Sequence, residues 1–258
     1  MSDEMQKRTE QQSELVSVVM PLFNAEKSLN KSVHSVLSQT YNNLELIIVD
    51  DCSTDASFEL ARNWAKKDER IILLKLEKNA GAGIARNTAI KEAKGRYIAF
   101  LDSDDSWYPD KIRHQISIFK TRNVNLVCSW YDVVNSENEP VGTRKPREWI
   151  TYNELLKENV IGCLTAIYDT NRIGKIYMPE IRKRQDYALW LNILRKTEKA
   201  YCAQVALAEY YIQENSISSN KIEMLSWNYR MFRTTQGYNT LSALLLTLRN
   251  AYQKLKQR

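Results

Sequence analysis

Apolar runs of strand length alternate with amphipathic helical stretches across the first half of this chain, and that alternation restricts the fold more than any other feature. Leu15 to Met20, Leu44 to Val49, Ile71 to Leu76, Tyr97 to Leu101 and Asn125 to Val134 read as strands. Between them Ala25 to Ser38, Ser57 to Lys66, Gly83 to Lys94 and Trp107 to Thr121 read as helices. The first carries Leu29, Val33, Val36 and Leu37 at helical spacing. A β-α-β-α rhythm of this kind predicts an α/β fold: a mainly parallel sheet, right-handed crossovers and helices on both faces. Such a sheet presents its ligands at the carboxyl ends of its strands. Chemistry is therefore expected just past each apolar run.

The rhythm breaks near residue 135. Asn135 to Arg147, with Pro140, Gly142 and Pro146, reads as turns. Thr151 to Glu158 reads as a short helix capped by Thr151, with Glu154 placed for a capping box. Asp186 to Lys196 reads as a helix with Leu189, Trp190, Ile193 and Leu194 inward, and Ala200 to Ile212 as extended. Tyr238 to Gln257 reads as a basic amphipathic helix with Leu241, Leu244, Leu245, Leu248, Tyr252 and Leu255 on one side. The expected organisation is a flexible segment 1–14, one domain over 15–215 in two halves (about 15–135 and 136–215), and a basic helical tail 216–258.

A hydrophobic content of 43% in 258 residues supports the core of one large domain. Met1 to Glu14 lacks the features of a signal or transit peptide. No apolar run nears the roughly 20 residues that span a bilayer. A cytoplasmic protein is expected. Cys52, Cys128, Cys163 and Cys202 are far apart, and only His34 and His114 accompany them, which argues for reduced thiols rather than zinc or disulfides. The net charge of +6 is uneven. After Glu223 there is no acid, but Arg230, Arg233, Arg249, Lys254, Lys256 and Arg258 follow. Nucleic acid, anionic lipid or plain solubility would each suit such a tail. Its leucine face either packs on the domain or meets lipid.

Three acids in Asp102-Ser103-Asp104-Asp105 directly follow the fourth strand. They repel one another unless a divalent cation neutralises them, and oxygen ligands suit Mg²⁺ or Mn²⁺. A solvated acidic turn is the plainer reading. The first strand ends in Pro21-Leu22-Phe23-Asn24 and the second in Asp50-Asp51-Cys52-Ser53-Thr54-Asp55. An acid there could accept the N3–H of a uracil ring, with Phe23 against the base; helix capping is the alternative for the later residues. Gly81-Ala82-Gly83 lacks the third glycine of a dinucleotide fingerprint, since Arg86 stands there, and follows the third strand rather than the first. It reads better as a tight turn into a helix that sends Arg86 to a diphosphate, against a plain surface arginine. In Trp107-Tyr108-Pro109 the aromatics would line a sugar site or pack in the core, and Pro109 suits a first helical turn. In Arg182-Lys183-Arg184-Gln185-Asp186, the acid taken alone reads as an N-cap and the bases as a solvated turn.

Taken in order, Pro21-x-Phe23-Asn24, Ser38-Gln39-Thr40-Tyr41, Val49-Asp50-Asp51, Ala85-Arg86-Asn87, Phe100-Leu101-Asp102-Ser103-Asp104-Asp105 and Asp186-Tyr187-x-Leu189-Trp190 resemble inverting glycosyltransferases of family 2, with the GT-A fold, over about residues 15–195. The resemblance implies a donor half over about 15–135 and an acceptor half over about 136–215. It implies donor binding by Pro21, Phe23, Asp51, Arg86, Asp102, Ser103 and Asp104, with Asp51 on the base and Arg86 on the diphosphate side. Asp102 and Asp104 would hold Mn²⁺ or Mg²⁺, and Asp186 would be the catalytic base. Family members often carry Glu-Asp where this chain has Gln185-Asp186. The expected reaction moves a hexose from a nucleotide-diphosphate sugar, UDP-linked, to a glycan or lipid-diphosphate-linked saccharide in surface polysaccharide assembly. An anionic membrane surface, the inner face of the cell membrane, fits as a partner, and nucleic acid does not. A sugar-1-phosphate nucleotidyltransferase and a non-catalytic membrane-binding module are the competing readings. The first would need a glycine-rich loop at the first strand, and the second leaves the ordered acids unexplained.

Overall fold

The computed structural model describes residues 14–212 and 221–256. The flexible segment expected at 1–14 lies, but for Glu14, outside the described residues, as does the expected boundary at 215. The first half runs Val16–Leu22 (β1), Leu29–Leu37 (α1), Leu44–Asp50 (β2), Ser57–Ala65 (α2), Ile71–Lys75 (β3), Ala82–Glu92 (α3), Tyr97–Phe100 (β4), Ser106–Trp107 (β5) and Lys111–Thr121 (α4). The second half runs Leu126–Val134 (β6), Pro140–Arg144 (β7), Trp149–Thr151 (β8), Tyr152–Leu155 (α5), Ile167–Asp169 (β9), Thr170–Ile173 (α6), Gln185–Thr197 (α7) and Lys199–Tyr211 (β10). Two helices close the chain, Lys221–Thr234 (α8) and Thr240–Lys256 (α9).

The ten strands among the described residues join one sheet, in the order β3-β2-β1-β4-β9-β6-β10-β5, with β7 on β6 and β8 on β10. β1, β2, β3 and β4 pair in parallel, as do β6 and β10; the other pairings are antiparallel. Every residue of β1 and β2 is buried, which is why both read as near-continuous apolar runs. One core layer holds Val19, Ile47, Ala85, Phe100 and Trp190. The layer on the other face holds Val18, Leu46, Val33, Ala99 and Ile112. The helices thus cover both faces, as the rhythm requires. β2 and β4 flank β1 on opposite sides, so the strand order reverses there and opens a crevice past the carboxyl ends of all three.

Two expectations are corrected. Trp107 does not begin a helix: Ser106–Trp107 pairs antiparallel with β10, and α4 starts at Lys111 behind Asp110, leaving Pro109 before the helix. Trp107 is buried, with Nε1 donating to the Leu164 carbonyl, so it packs in the core rather than lining a sugar site. The segment read wholly as turns contains β7, an exposed edge strand on β6. Pro140 opens it, the position an edge strand allows a residue without an N–H. The expected capping box is present, Thr151 and Glu154 bonding each other's backbone amides. All four cysteines are free. Among the described residues no helix is long and apolar enough to cross a membrane.

Candidate active site

Beyond β1 and β2 the chain turns sharply, at Asn24 (φ 47°) and Cys52 (φ 62°). These turns are tied to each other. The Asn24 amide donates to Ser53 Oγ, and Asn24 Oδ1 accepts from the Thr54 amide at 2.8 Å. Asp55 accepts from the Ser57 amide, taking up a first-turn donor of α2 that the N-cap, Ala56, leaves free. Capping therefore accounts for Asp55. Asp50 is buried and accepts from the Ser53 amide. Asp51 is buried too, and its two oxygens accept from the Ala80 and Gly81 amides at 2.6 and 2.8 Å. Gly81 has φ 91°, a conformation glycine adopts without a Cβ penalty. Asp51 thus shapes the turn into α3 while keeping lone pairs for a further donor. Pro21 is buried within β1, and Phe23 stands 48% exposed at the crevice mouth.

Asp102, Ser103, Asp104 and Asp105 form the turn past β4, closed by the Asp105 amide donating to the Asp102 carbonyl. The buried Ser103 offers its carbonyl to Ser28 Oγ, which fixes the turn to the start of α1. One carboxylate oxygen from each of Asp102, Asp104 and Asp105 lies within 4.8 Å of the others. Burial, then the neighbouring Asp102, pushes the Asp104 carboxyl from 3.8 up to about 6. Burial, then Asp104, pushes Asp105 well above the carboxylate range. Arg86 answers this charge: its Nη2 donates to Asp102 Oδ1 at 2.5 Å. It is buried on the inner side of α3, not on the surface, and its Nε has no partner among the described residues. Burial opposes the guanidinium charge, but Asp102 and the other nearby groups outweigh it and hold the pKa above its usual value.

One arginine leaves the three acids short of neutral. Hard oxygen donors carrying surplus negative charge fit a divalent cation of the Mg²⁺ or Mn²⁺ class. Asp105 Oδ1 already accepts from the Tyr211 amide and Asp102 Oδ1 from Arg86, so each of these two has its other oxygen to offer a cation.

From the second half, α7 brings Asp186 to this site. Asp186 is not the N-cap: Arg184 is, with φ 68° and no side-chain bond to the helix. Asp186 sits in the first turn, partly exposed, and accepts from Asn159 Nδ2 at 3.4 Å. It lies close enough to Arg86 to help hold that guanidinium charged. Gln185, in the place of the frequent glutamate, is buried against Gly83; a Cβ on Gly83 would fall 2.9 Å from Gln185 Nε2. The start of α7 is thereby seated on the start of α3. Asn87 adds a two-bond clamp, accepting from the Met178 amide and donating to the Met178 carbonyl. A cleft lined by Asn79, Gly83, Ile84, Pro179 and Arg182 runs between these segments. Lys183 pairs with Glu223 of α8, so the basic run is not a plain solvated turn.

Asn159, Arg184 and Cys163 belong to this site without having been expected there. Burial lowers the Arg184 pKa, and burial raises that of the Cys163 thiol beside Arg86. Asn159 lies in a stretch with neither strand nor helix period. The Gln39 side chain binds the Ser35 and Tyr108 carbonyls and the Ile112 amide, so the Ser38-Gln39-Thr40-Tyr41 motif fastens α1 to α4 rather than touching the crevice.

The family model described as Glycosyl transferase family 2 matches residues 17–175. A glycosyltransferase of Bacillus subtilis (strain 168), named TuaG and assigned to teichuronic acid biosynthesis, is 40% identical over 246 residues, covering 95% of this chain and 97% of the relative. The Escherichia coli UDP-Glc:alpha-D-GlcNAc-diphosphoundecaprenol beta-1,3-glucosyltransferase WfgD is 42% identical over 212 residues, 82% of each chain. Among solved structures, S. aureus TarS 1–349 in complex with UDP-GlcNAc superposes with a TM-score of 0.69 at 19% identity, covering 91% of this chain and 70% of that one. This likeness is one of fold.

Proposed function

The chain belongs to glycosyl transferase family 2 and is a GT-A-fold glycosyltransferase, and from that premise we propose that it moves a hexose from a UDP-sugar to a lipid-diphosphate-linked saccharide during surface polysaccharide synthesis, with inversion at the anomeric carbon. Family membership sets aside the nucleotidyltransferase and the non-catalytic module. The observation that carries the reading is the meeting of an acidic cluster, a buried arginine and a separate carboxylate at one crevice, each from a different element. The WfgD name supplies the donor and acceptor class, and TuaG the setting in a cell-surface polymer. Residues 15–135 serve as the donor half and 136–215 as the acceptor half, with 216–258 as an appended tail.

In this mechanism Pro21, Phe23 and Asp51 line the nucleoside end, and Ser103 shapes the turn beneath the diphosphate. A divalent cation held by Asp102 and Asp104 would offset the charge that builds on the leaving diphosphate. Arg86, whose Nε has no partner among the described residues, stabilises that same charge. Asp186 accepts the acceptor hydroxyl's proton as the oxygen attacks the anomeric carbon. A single carboxylate on the acceptor side suits one displacement, hence inversion.

The test is transfer by purified protein from a panel of nucleotide-sugars to a synthetic N-acetylhexosamine-diphosphate-lipid, with Mn²⁺ or Mg²⁺ and with chelator. A β-linked product from an α-linked UDP-sugar, lost in chelator and restored by metal, is expected. A product of retained configuration, or full activity in chelator, refutes the mechanism.

A further inference from the structure

The tail helix α9 has two unlike faces. Ala243, Thr247 and Asn250 are buried. Asn250 Nδ2 donates to the Leu156 carbonyl and reaches the Tyr187 hydroxyl, one residue from Asp186. The leucines point the other way: Leu241 is 67% exposed, Leu244 47%, Leu245 58%, Leu248 55%, and Tyr252 54%. These are five of the ten exposed large hydrophobic side chains among the described residues. Single exposed leucines need no explanation, but a stripe about 16 Å long on one helix does. The sequence left open whether this stripe packs on the domain. Among the described residues the four leucines do not; α9 packs through its small and polar side.

We propose that the leucine face of α9 is a docking surface that lays this helix in the plane of an anionic lipid bilayer. The inference rests on the lipid-linked acceptor proposed above, which puts the substrate at such a surface. Charge selects the occupant. No acid follows Glu223, while six basic residues do, and Arg230, Arg233 and Arg249 are exposed. An apolar stripe on a helix that carries basic residues and no acid is the pattern of a helix lying at an anionic interface. A second copy of this chain would bring its own basic tail to the seam with no acid to pair, so like charges would oppose the contact. The inward face is anchored beside Asp186, so docking through the outward face holds the acceptor half at the surface where the lipid-linked sugar is displayed.

The experiment sediments the full chain with phosphatidylglycerol–phosphatidylethanolamine vesicles and with phosphatidylcholine vesicles, at low and high salt. A Leu244→Glu/Leu248→Glu double variant is run beside it. The full chain is expected to bind the anionic vesicles, less at high salt because screening shortens the reach of surface charge to about 10 Å at 0.1 M. The variant should bind at least about tenfold less, with its melting temperature and its transfer to a short soluble acceptor unchanged. Absence of anionic-vesicle binding by the full chain, or equal binding by the variant, overturns the proposal. A dimer that the variant converts to monomer while vesicle binding persists also overturns it, and gives the face to a second copy. Salt-sensitive vesicle binding that the variant loses, with no transfer to any lipid-linked acceptor, supports the docking surface and refutes only the acceptor.

Discussion

Asp104 holds its proton to about pH 6 in the folded chain, against an ordinary value of 3.8. Between those two values the fold binds more protons than the unfolded chain, so the contribution of this group to stability falls as pH rises through that window. A divalent cation favours the charged form and reverses the penalty, releasing the proton as it binds. Mn²⁺ or Mg²⁺ should therefore raise the melting temperature more at about pH 7 than at about pH 5, and Asp104→Asn should erase most of that difference. Equal stabilisation at both pH values would count against a cation at Asp104. Asp186→Asn removes the proposed proton acceptor but no cap, since Arg184 holds the N-cap position. Transfer should fall by roughly a hundredfold or more, with melting temperature and donor binding nearly unchanged; an equally active variant would show that another group is the base. Asp102 and Asp104 stand out in the chain because acids crowd a strand exit; Asp186, one acid behind three bases, reads alone as an N-cap, and only the family resemblance singles it out. Asn159 was not, because its partner lies 27 positions away and no local pattern marks it. Asp51 was read only in part: the chain shows an acid at a strand end, but not the Ala80 and Gly81 amides that fold back onto it.

At the level of elements, the parallel strands and their helices followed from periodicity, and the short antiparallel pieces did not. β5 has two residues and exists because β10, about a hundred positions later, offers it a ladder; a two-residue strand has no period to detect. β7 carries Pro140 and Gly142, residues that mark turns by local preference, yet its edge position on β6 tolerates both. Gly95 shows the same dependence on distant neighbours. It precedes β4, where an added Cβ would lie 2.6 Å from the Leu15 carbonyl oxygen and 2.7 Å from the Ser17 amide nitrogen. Backbone atoms at Leu15 and Ser17 do not yield as a side-chain tip does. Gly95→Ala should destabilise the protein by about 1–3 kcal/mol, the usual cost of overpacking, read from the denaturation midpoint. Wild-type stability in that variant would mean that β1 and β4 do not approach so closely.

Across the whole molecule the two proposed halves share one sheet, because β9 pairs antiparallel with both β4 and β6 and bridges them. The tail belongs to the same body: Ala243 joins the core that holds Trp190 and Phe232, and Asn250 bonds Tyr187 of α7. Removing residues 238–258 should therefore lower the melting temperature, by about 2–4 °C for each kcal/mol lost, whichever acceptor is used. A truncated protein that melts like the full chain would show that α9 contributes nothing to the fold. Much of the motif set has a similar architectural duty. Asn24 and Ser53 join two loops, Gln39 joins two helices, and Asn87 grips the backbone at Met178. A descendant that kept those amides and hydroxyls but exchanged Asp186 for an inert residue would adopt the same shape and still match the other motifs, while, on the proposed mechanism, losing transfer. On the mechanism proposed above, silent pseudoenzymes in such a lineage would be betrayed at Arg86, Asp102, Asp104 and Asp186.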